Sequence, residues 1–292
     1  MSVEIPVHHA KKFGSGIDLL QQQMGSRLEE GVDVDSDVQG GDRKFYDQVD
    51  AVEMLDITDR HGHTQYVNTP HRRRMAAPSP AEWADRIDRS DLRRVMNDPQ
   101  SSYARSAAAA VGRKKDRVVI NAFFAAASTG VDGATSAAFP TATHTIAVVA
   151  GGLTIAQLLD ARRILESFEN PEDDGMNRWY AALAAQQRRN LLNTTEVSHA
   201  DYNTVRSLVN GQVDQFLGFK FLKSQLLGVD GSSDQRCPFW RKASMKLAVA
   251  QEGRPFIDIL PEHRHSIQLR YELDVGATRM DEKGVVEVIA DL

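Results

Sequence analysis

Few residues of this chain stand where chemistry could be done, and each candidate implies a definite kind. Asp33-Val-Asp-Ser-Asp37 spaces three carboxylates like the first ligands of a calcium loop, a cage of hard oxygen donors. The glycine such a loop needs for its sharp turn is here Val38, and the position of its bidentate glutamate is Lys44, so solvated acid is the expected reading. His61-x-His63 and His263-x-His265 set imidazoles two apart, as on one side of a strand, which is half of a zinc site, with His71 a third ligand for the first pair. Exposed polar side chains on strands are expected there instead. Cys237, beside Pro238 and Phe239, would be a nucleophile only with a histidine base brought from elsewhere. As the single cysteine it excludes an intrachain disulfide and a multi-cysteine zinc site, and it is expected to be a small buried hydrophobe.

Gly130-Val-Asp-Gly-Ala-Thr-Ser136 has a faintly phosphate-cradling look. It lacks the Lys-Ser/Thr that a P-loop needs and follows a helix rather than a strand, so a plain loop is expected. No G-x-S-x-G, H-E-x-x-H or G-x-G-x-x-G occurs. The chain therefore nominates no catalytic residue, no metal and no cofactor. Its strongest local charge is Arg72-Arg-Arg74, which with Arg60 gives +4 over a stretch without an acid between Arg60 and Ala81. Guanidinium forks bind carboxylates and phosphates bidentately, and three adjacent arginines on a projecting element are hard to neutralise internally, so they are expected to grip a partner. The plainer reading is a solvated turn that keeps a hairpin edge from aggregating.

The elements that would position these residues form a mixed series. The first forty residues hold three basic and seven acidic side chains and little to pack, apart from Ile17–Met24. They read as an extended arm that becomes ordered against something else. Alternation in Leu55–Arg60 and Thr64–Thr69, with Gly62 between, predicts a long hairpin too poor in apolar residues to form a core. After Asp98-Pro99 a helix is expected to about residue 128, a rod of about 45 Å, with an apolar stripe of Tyr103, Ala107, Val111, Val118, Ala122 and Ala126. Arg113–Arg117 would be its solvated interruption. Further expected elements are a strand at 143–149, a helix at 155–168 capped by Thr154 and Gln157, a buried strand at 178–183 and a helix at 186–192. A helix follows at 198–209, then strands at 213–222, 243–249, 267–275 and 284–289. The order is neither repeated βα units nor all strand, hence α+β.

The 292 residues carry 35 basic and 40 acidic side chains, net −5, which argues against charge-driven nucleic-acid binding by the chain as a whole. No run of 18 apolar residues and no signal-peptide pattern at Met1 is present, so a soluble globular protein made inside the cell is expected.

In this order of elements the chain resembles the major capsid proteins of tailed phages of the Hong Kong 97 type, from about Phe45 to Leu292. The phrases that carry the likeness are Trp83–Asp88, Asp98–Tyr103, Asp116–Ala122, Asp201-Tyr, Gly211–Phe219 and Gly276–Arg279. The resemblance implies an α+β fold with an N-terminal arm at 1–48 and an extended hairpin loop at 49–83. It implies a peripheral domain at 84–150 and 261–292 with a spine helix at about 99–128, and an axial domain at 151–260. It further implies a non-enzymatic shell subunit in the virion, assembled in the host cytoplasm. Its partners would be itself in hexamers and pentamers, then scaffolding, portal and decoration proteins, and packaged DNA touched without sequence readout. No membrane is involved. Arg60, Arg72, Arg73 and Arg74 then become candidate inter-subunit contacts. Encapsulin-type nanocompartment shells share the fold and are the near alternative. An α+β enzyme using Cys237 or the His-x-His pairs, or a nucleic-acid-binding module using Arg72–Arg74, are the distant ones.

Overall fold

The computed structural model describes residues 22–38, 42–57, 59–60, 62–88, 100–168, 178–193 and 215–291. In chain order the strands before the long helix are β1 (Asp33–Asp35), β2 (Lys44–Val49), β3 (His71–Ala76) and β4 (Ser79–Ile87). Helix α1 spans Gln100–Phe124, followed by β5 (Ala127–Thr129), β6 (Thr135–Ala137), the single turn α2 (Thr141–His144) and β7 (Thr145–Ile146). Then come α3 (Ile155–Glu166), β8 (Trp179–Leu183), α4 (Ala185–Leu192), β9 (Gln215–Phe216), β10 (Phe219–Lys223) and β11 (Gln235–Arg241). The chain closes with β12 (Met245–Leu260), β13 (Ser266–Arg279) and β14 (Val285–Ala290). Three sheets result, ordered β7-β14-β11-β8-β10-β9, β1-β12-β13-β4 and β2-β3-β5-β6.

The six-stranded sheet is apolar on both faces, which is why Trp179–Leu183 reads as a continuous hydrophobic run rather than an alternating one. Tyr180, Ala182, Trp240 and Val285 pack toward α1 with Val119, Ile120 and Phe123. Ala181, Leu183, Phe239, Val286 and Val288 pack with Leu158 and Leu165 of α3. The capping box expected at the start of α3 is present, with the Thr154 hydroxyl accepting from the Gln157 amide and the Gln157 side chain accepting from the Thr154 amide.

Several expectations change. Helix α1 ends at Phe124, about 37 Å long. Of the expected stripe Ala107 is buried and Val111, Val118 and Ala122 pack against the core, while Tyr103 and Ala126 are exposed. Further buried positions, Gly112, Lys115, Asp116, Val119, Ile120 and Phe123, lie beside that stripe. In the expected solvated interruption Lys114 and Arg117 are exposed, but Lys115 and Asp116 face inward and hold the arm. The hairpin is two strands only at its root, β2 with β3 from Lys44↔Ala76 to Val49↔His71. Residues 51–57 and 62–70 form no strand, since their alternating apolar residues find no face to cover. β4, placed at the loop's end from the sequence, pairs instead with β13 over Ser79–Ile87. The strand expected at 143–149 shrinks to Thr145–Ile146, whereas β12 extends well beyond Val249, to Leu260. β11 was missed, because Pro238 interrupts the strand pattern. Its ladder with β8 starts at Phe239, beside the proline that has no N–H to give. The expected helix at 198–209, and residues 1–21 of the arm, lie outside the described residues.

Candidate assembly site

The loop between β2 and β3 leaves the packed body, and its anchoring decides where it can reach; the described part of the N-terminal arm packs onto the body. At the loop root, cross-strand ion pairs fix the two strands: Arg72 Nε lies 2.6 Å from Asp50 and Arg73 Nε 2.5 Å from Asp47. Arg73 also lies over the Phe45 ring, 5.5 Å from its centroid. The Arg73 hydrogen bond holds the Asp47 carboxyl below the usual carboxylate range. Arg74 points the other way and is only 3% exposed. It donates 2.7 Å bonds to both oxygens of Glu282 and a 3.2 Å bond to the Met280 carbonyl. Gln48 donates to the same carbonyl at 2.9 Å. The arginine run is therefore neutralised within its own chain, against the sequence expectation. That expectation missed that Asp47 and Asp50 precede the run on the partner strand and that Glu282 arrives from far along the chain. Arg60 is exposed near the loop tip.

Beyond the root, the loop carries large apolar side chains into solvent: Met54 is 98% exposed, Ile57 93% and Tyr66 90%. Val49, Val52, Leu55 and Val67 are about half or more exposed as well. Scattered exposed apolar residues need no explanation, but this many on one projecting segment make an unusual exposed apolar surface. No lysine lies between Val49 and Trp83.

The arm is held by one carboxylate. Asp116, fully buried in α1, accepts from the Ser26 hydroxyl at 2.6 Å, from the amides of Arg27 and Leu28 at 3.1 Å, and from the Gln23 side chain. Gly112, one turn earlier, lets the arm backbone approach. A Cβ there would meet the Gly25 carbonyl carbon at 2.4 Å. Leu28 and Val32 then enter the main core, and the Trp240 indole donates to the Gly31 carbonyl at 2.6 Å. Lys115 joins Glu29 and Glu252, each at 3.2 Å. Arm residues 22–32 are thus part of the subunit's own packing, which corrects the reading of an arm with nothing to pack on as far as these residues are concerned.

The other sequence candidates find structural roles. Asp33 pairs with Lys246 at 3.0 Å and Asp35 accepts from the Tyr46 hydroxyl at 2.9 Å, so the acidic motif joins β1 to its neighbours. Among the described residues no group of three or more His, Cys, Asp or Glu could hold a metal. His61 is outside them, and His263 and His265 sit at the β12–β13 turn, where Arg264 and His265 take left-handed backbone. Cys237 is fully buried, and burial pushes its thiol up to about 12, which disarms it as a nucleophile. Of Gly130–Ser136, residues 130–134 are the turn between β5 and β6, and Thr135 and Ser136 begin β6. Sequence reasoning missed Arg279. Its fully buried guanidinium donates 2.8 Å bonds to the Phe123 and Ala125 carbonyls and a 3.1 Å bond to the Ala137 carbonyl, closing the C-terminal end of α1.

The profile of the phage capsid protein family matches residues 5–291. Among solved structures, the fold is similar to one from Mycobacterium phage Che8, with a TM-score of 0.71 at 12% identity over 96% of this chain and 97% of that one. It is similar to the capsid of cyanophage P-SCSP1u (TM-score 0.75, 13% identity, 99% and 95% covered). It is similar also to the capsid of a native GTA particle (0.72, 12%, 99% and 99%). No curated protein matches in sequence. With the α+β capsid fold in place and the profile spanning all but the extreme ends, the chain belongs to the phage capsid protein family.

Proposed function

We propose that this capsid protein tiles an icosahedral shell around a tailed-phage genome, and that the loop beyond β2 and β3 is laid across a neighbouring copy. The observation that carries this reading is the exposure of Met54, Ile57 and Tyr66 on a root that is itself clamped by ion pairs. A rigid root aims the loop, and apolar burial against the neighbour supplies the attraction. Many such contacts, each modest, hold a closed shell through multivalency.

In this reading residues 1–48 are the arm, 49–83 the extended loop, 84–150 with 261–292 the peripheral domain, and 151–260 the axial domain around hexamer and pentamer axes. The subunit works without catalysis, in keeping with its capsid family and a disarmed Cys237. Assembly in the host cytoplasm, with scaffolding, portal and decoration proteins as partners, belongs to the same reading. So does an inner wall that does not grip DNA, which the net charge of −5 supports. Arg60, Arg72 and Arg73 keep exposed faces for a neighbour. Arg74, being buried, acts within the subunit. Replacing Met54, Ile57 and Tyr66 together by Ser should leave the thermal midpoint of the isolated subunit unchanged and abolish particle formation. Normal particle yield from that triple variant would refute the loop contact.

A further inference from the structure

The loop root meets the end of the long helix at a single carboxylate. Arg74 on β3 and Arg279 on β13 are both buried cations, at 3% and 0% exposure. Glu282, in the turn between β13 and β14, accepts two bonds from Arg74 at 2.7 Å and lies 3.8 Å from Arg279. Two guanidinium charges thus share one carboxylate. Arg74 Nη1 and Arg279 Nε are buried without an acceptor among the described residues. The two cations oppose each other: Arg279 has its pKa lowered by burial and by Arg74, and Glu282 acts the other way.

The two arginines are not held alike. Arg279 is fixed by three backbone carbonyls and lies 5.3 Å from the Phe139 ring centroid. Arg74 has, besides Glu282, the Met280 carbonyl at 3.2 Å. If the shared carboxylate is neutralised, repulsion between two buried cations must be relieved by moving one of them. The Arg74 side chain is the less tightly held of the two. β3 is also joined to β5 at Arg74↔Thr129 and Met75↔Ser128, so displacing Arg74 strains that short ladder and the loop root with it.

From this geometry we infer that Glu282 is the positioning residue of the extended loop, the group that locks β2 and β3 to the C-terminal end of α1. The inference rests on the loop being an inter-subunit element. The lock converts the direction of the helix end into the direction of the loop, so that each copy presents the loop at one angle. A shell needs that constancy, since a heterologous contact closes only when its rotation is fixed.

The test is hydrogen exchange on the full-length subunit carrying Glu282→Gln, which keeps the shape and removes the charge. Amides of Lys44–Val49 and His71–Ala76 should exchange at least about tenfold faster, while those of 112–124 change less than about twofold. Arg74→Met should give the same pattern, and the double variant should be no worse than either single one. Equal loss of protection in hairpin and helix would mean that Glu282 merely supports the fold, and no change in the hairpin would mean that there is no lock. Both overturn the proposal. If Glu282→Gln does not fold, Glu282→Asp reads the same hairpin-to-helix ratio. In parallel, wild-type subunits should form closed particles, and the folded variant should give open or irregular ones. Wild-type subunits that never assemble would count against the shell reading itself, while the exchange pattern would still decide the lock.

Discussion

At the scale of single residues, buried charge is concentrated on the few side chains that join segments distant in sequence. Asp116 is the clearest case, a buried carboxylate whose hydrogen-bond donors among the described residues all belong to the arm. Asp116→Ala leaves those donors unpaired and should destabilise the subunit by about 3 kcal/mol or more, measured by denaturant unfolding. Gly112→Ala should expel the same stretch of arm for a steric reason, because its Cβ collides with backbone rather than with a side chain that could rotate. In both variants, limited proteolysis should cut within residues 22–32, which the wild-type subunit protects. His144 contributes a pH dependence just below neutrality, whereas Asp35 and Asp47, with lowered pKa values, contribute theirs in the acid range. His144 is 5% exposed, stacked on Phe168 at 5.3 Å, with Phe139 edge-on. Burial lowers its pKa, against the opposite pull of Asp281 and Glu282 and with the help of Arg279. The unfolded chain then binds the proton more readily than the folded one. The contribution of His144 to stability is complete above about pH 6.5 and is lost as pH falls through the lower folded value. His144→Phe should flatten the stability curve in that window, and an unchanged slope would assign the pH dependence elsewhere.

At the scale of elements, the arginine run divides into two kinds of contact. Arg74→Ala removes the buried partner of Glu282 and should cost the subunit about 2–4 kcal/mol. Arg72→Ala and Arg73→Ala break exposed pairs and should hardly move the unfolding midpoint, so that any loss of assembly by them reports on a neighbour. This division was not legible in the sequence. Local pattern found the run and its hairpin, but the acids that neutralise it lie on the facing strand and on a turn some two hundred residues away. The α3 capping box, the buried strand β8 and the alternating strand β13 were legible, because spacing within one element determines them. The face of α1 was legible only in part: Ala107, Val111, Val118 and Ala122 of the expected stripe do meet the core. Its Lys115 and Asp116 look solvated until the arm is docked, because amphipathic patterning puts charged residues outside. The loop's exposed apolar residues were read as strand for the converse reason. Alternation implies a covered face, and among the described residues nothing covers it.

At the scale of the whole molecule, the subunit is a fixed body of three sheets around α1 with a projecting loop, and its locking chemistry follows from composition. An isopeptide cross-link from the extended loop needs an amine, and between Val49 and Trp83 the chain offers arginines and no lysine. Lys44, at the root, is engaged with Asp35 and with the Asp37 carbonyl. Boiled, reduced particles should therefore run as one band near 32.4 kDa, and a ladder of multimers would show a donor from another region. If this chain carries the geometry of a shell, electron microscopy of the purified full-length protein across a range of concentrations should show closed, uniform particles. Their reconstructed density should place the segment carrying Met54, Ile57 and Tyr66 against an adjacent copy. A monodisperse monomer at every concentration, or particles in which that segment remains in solvent, would contradict that reading.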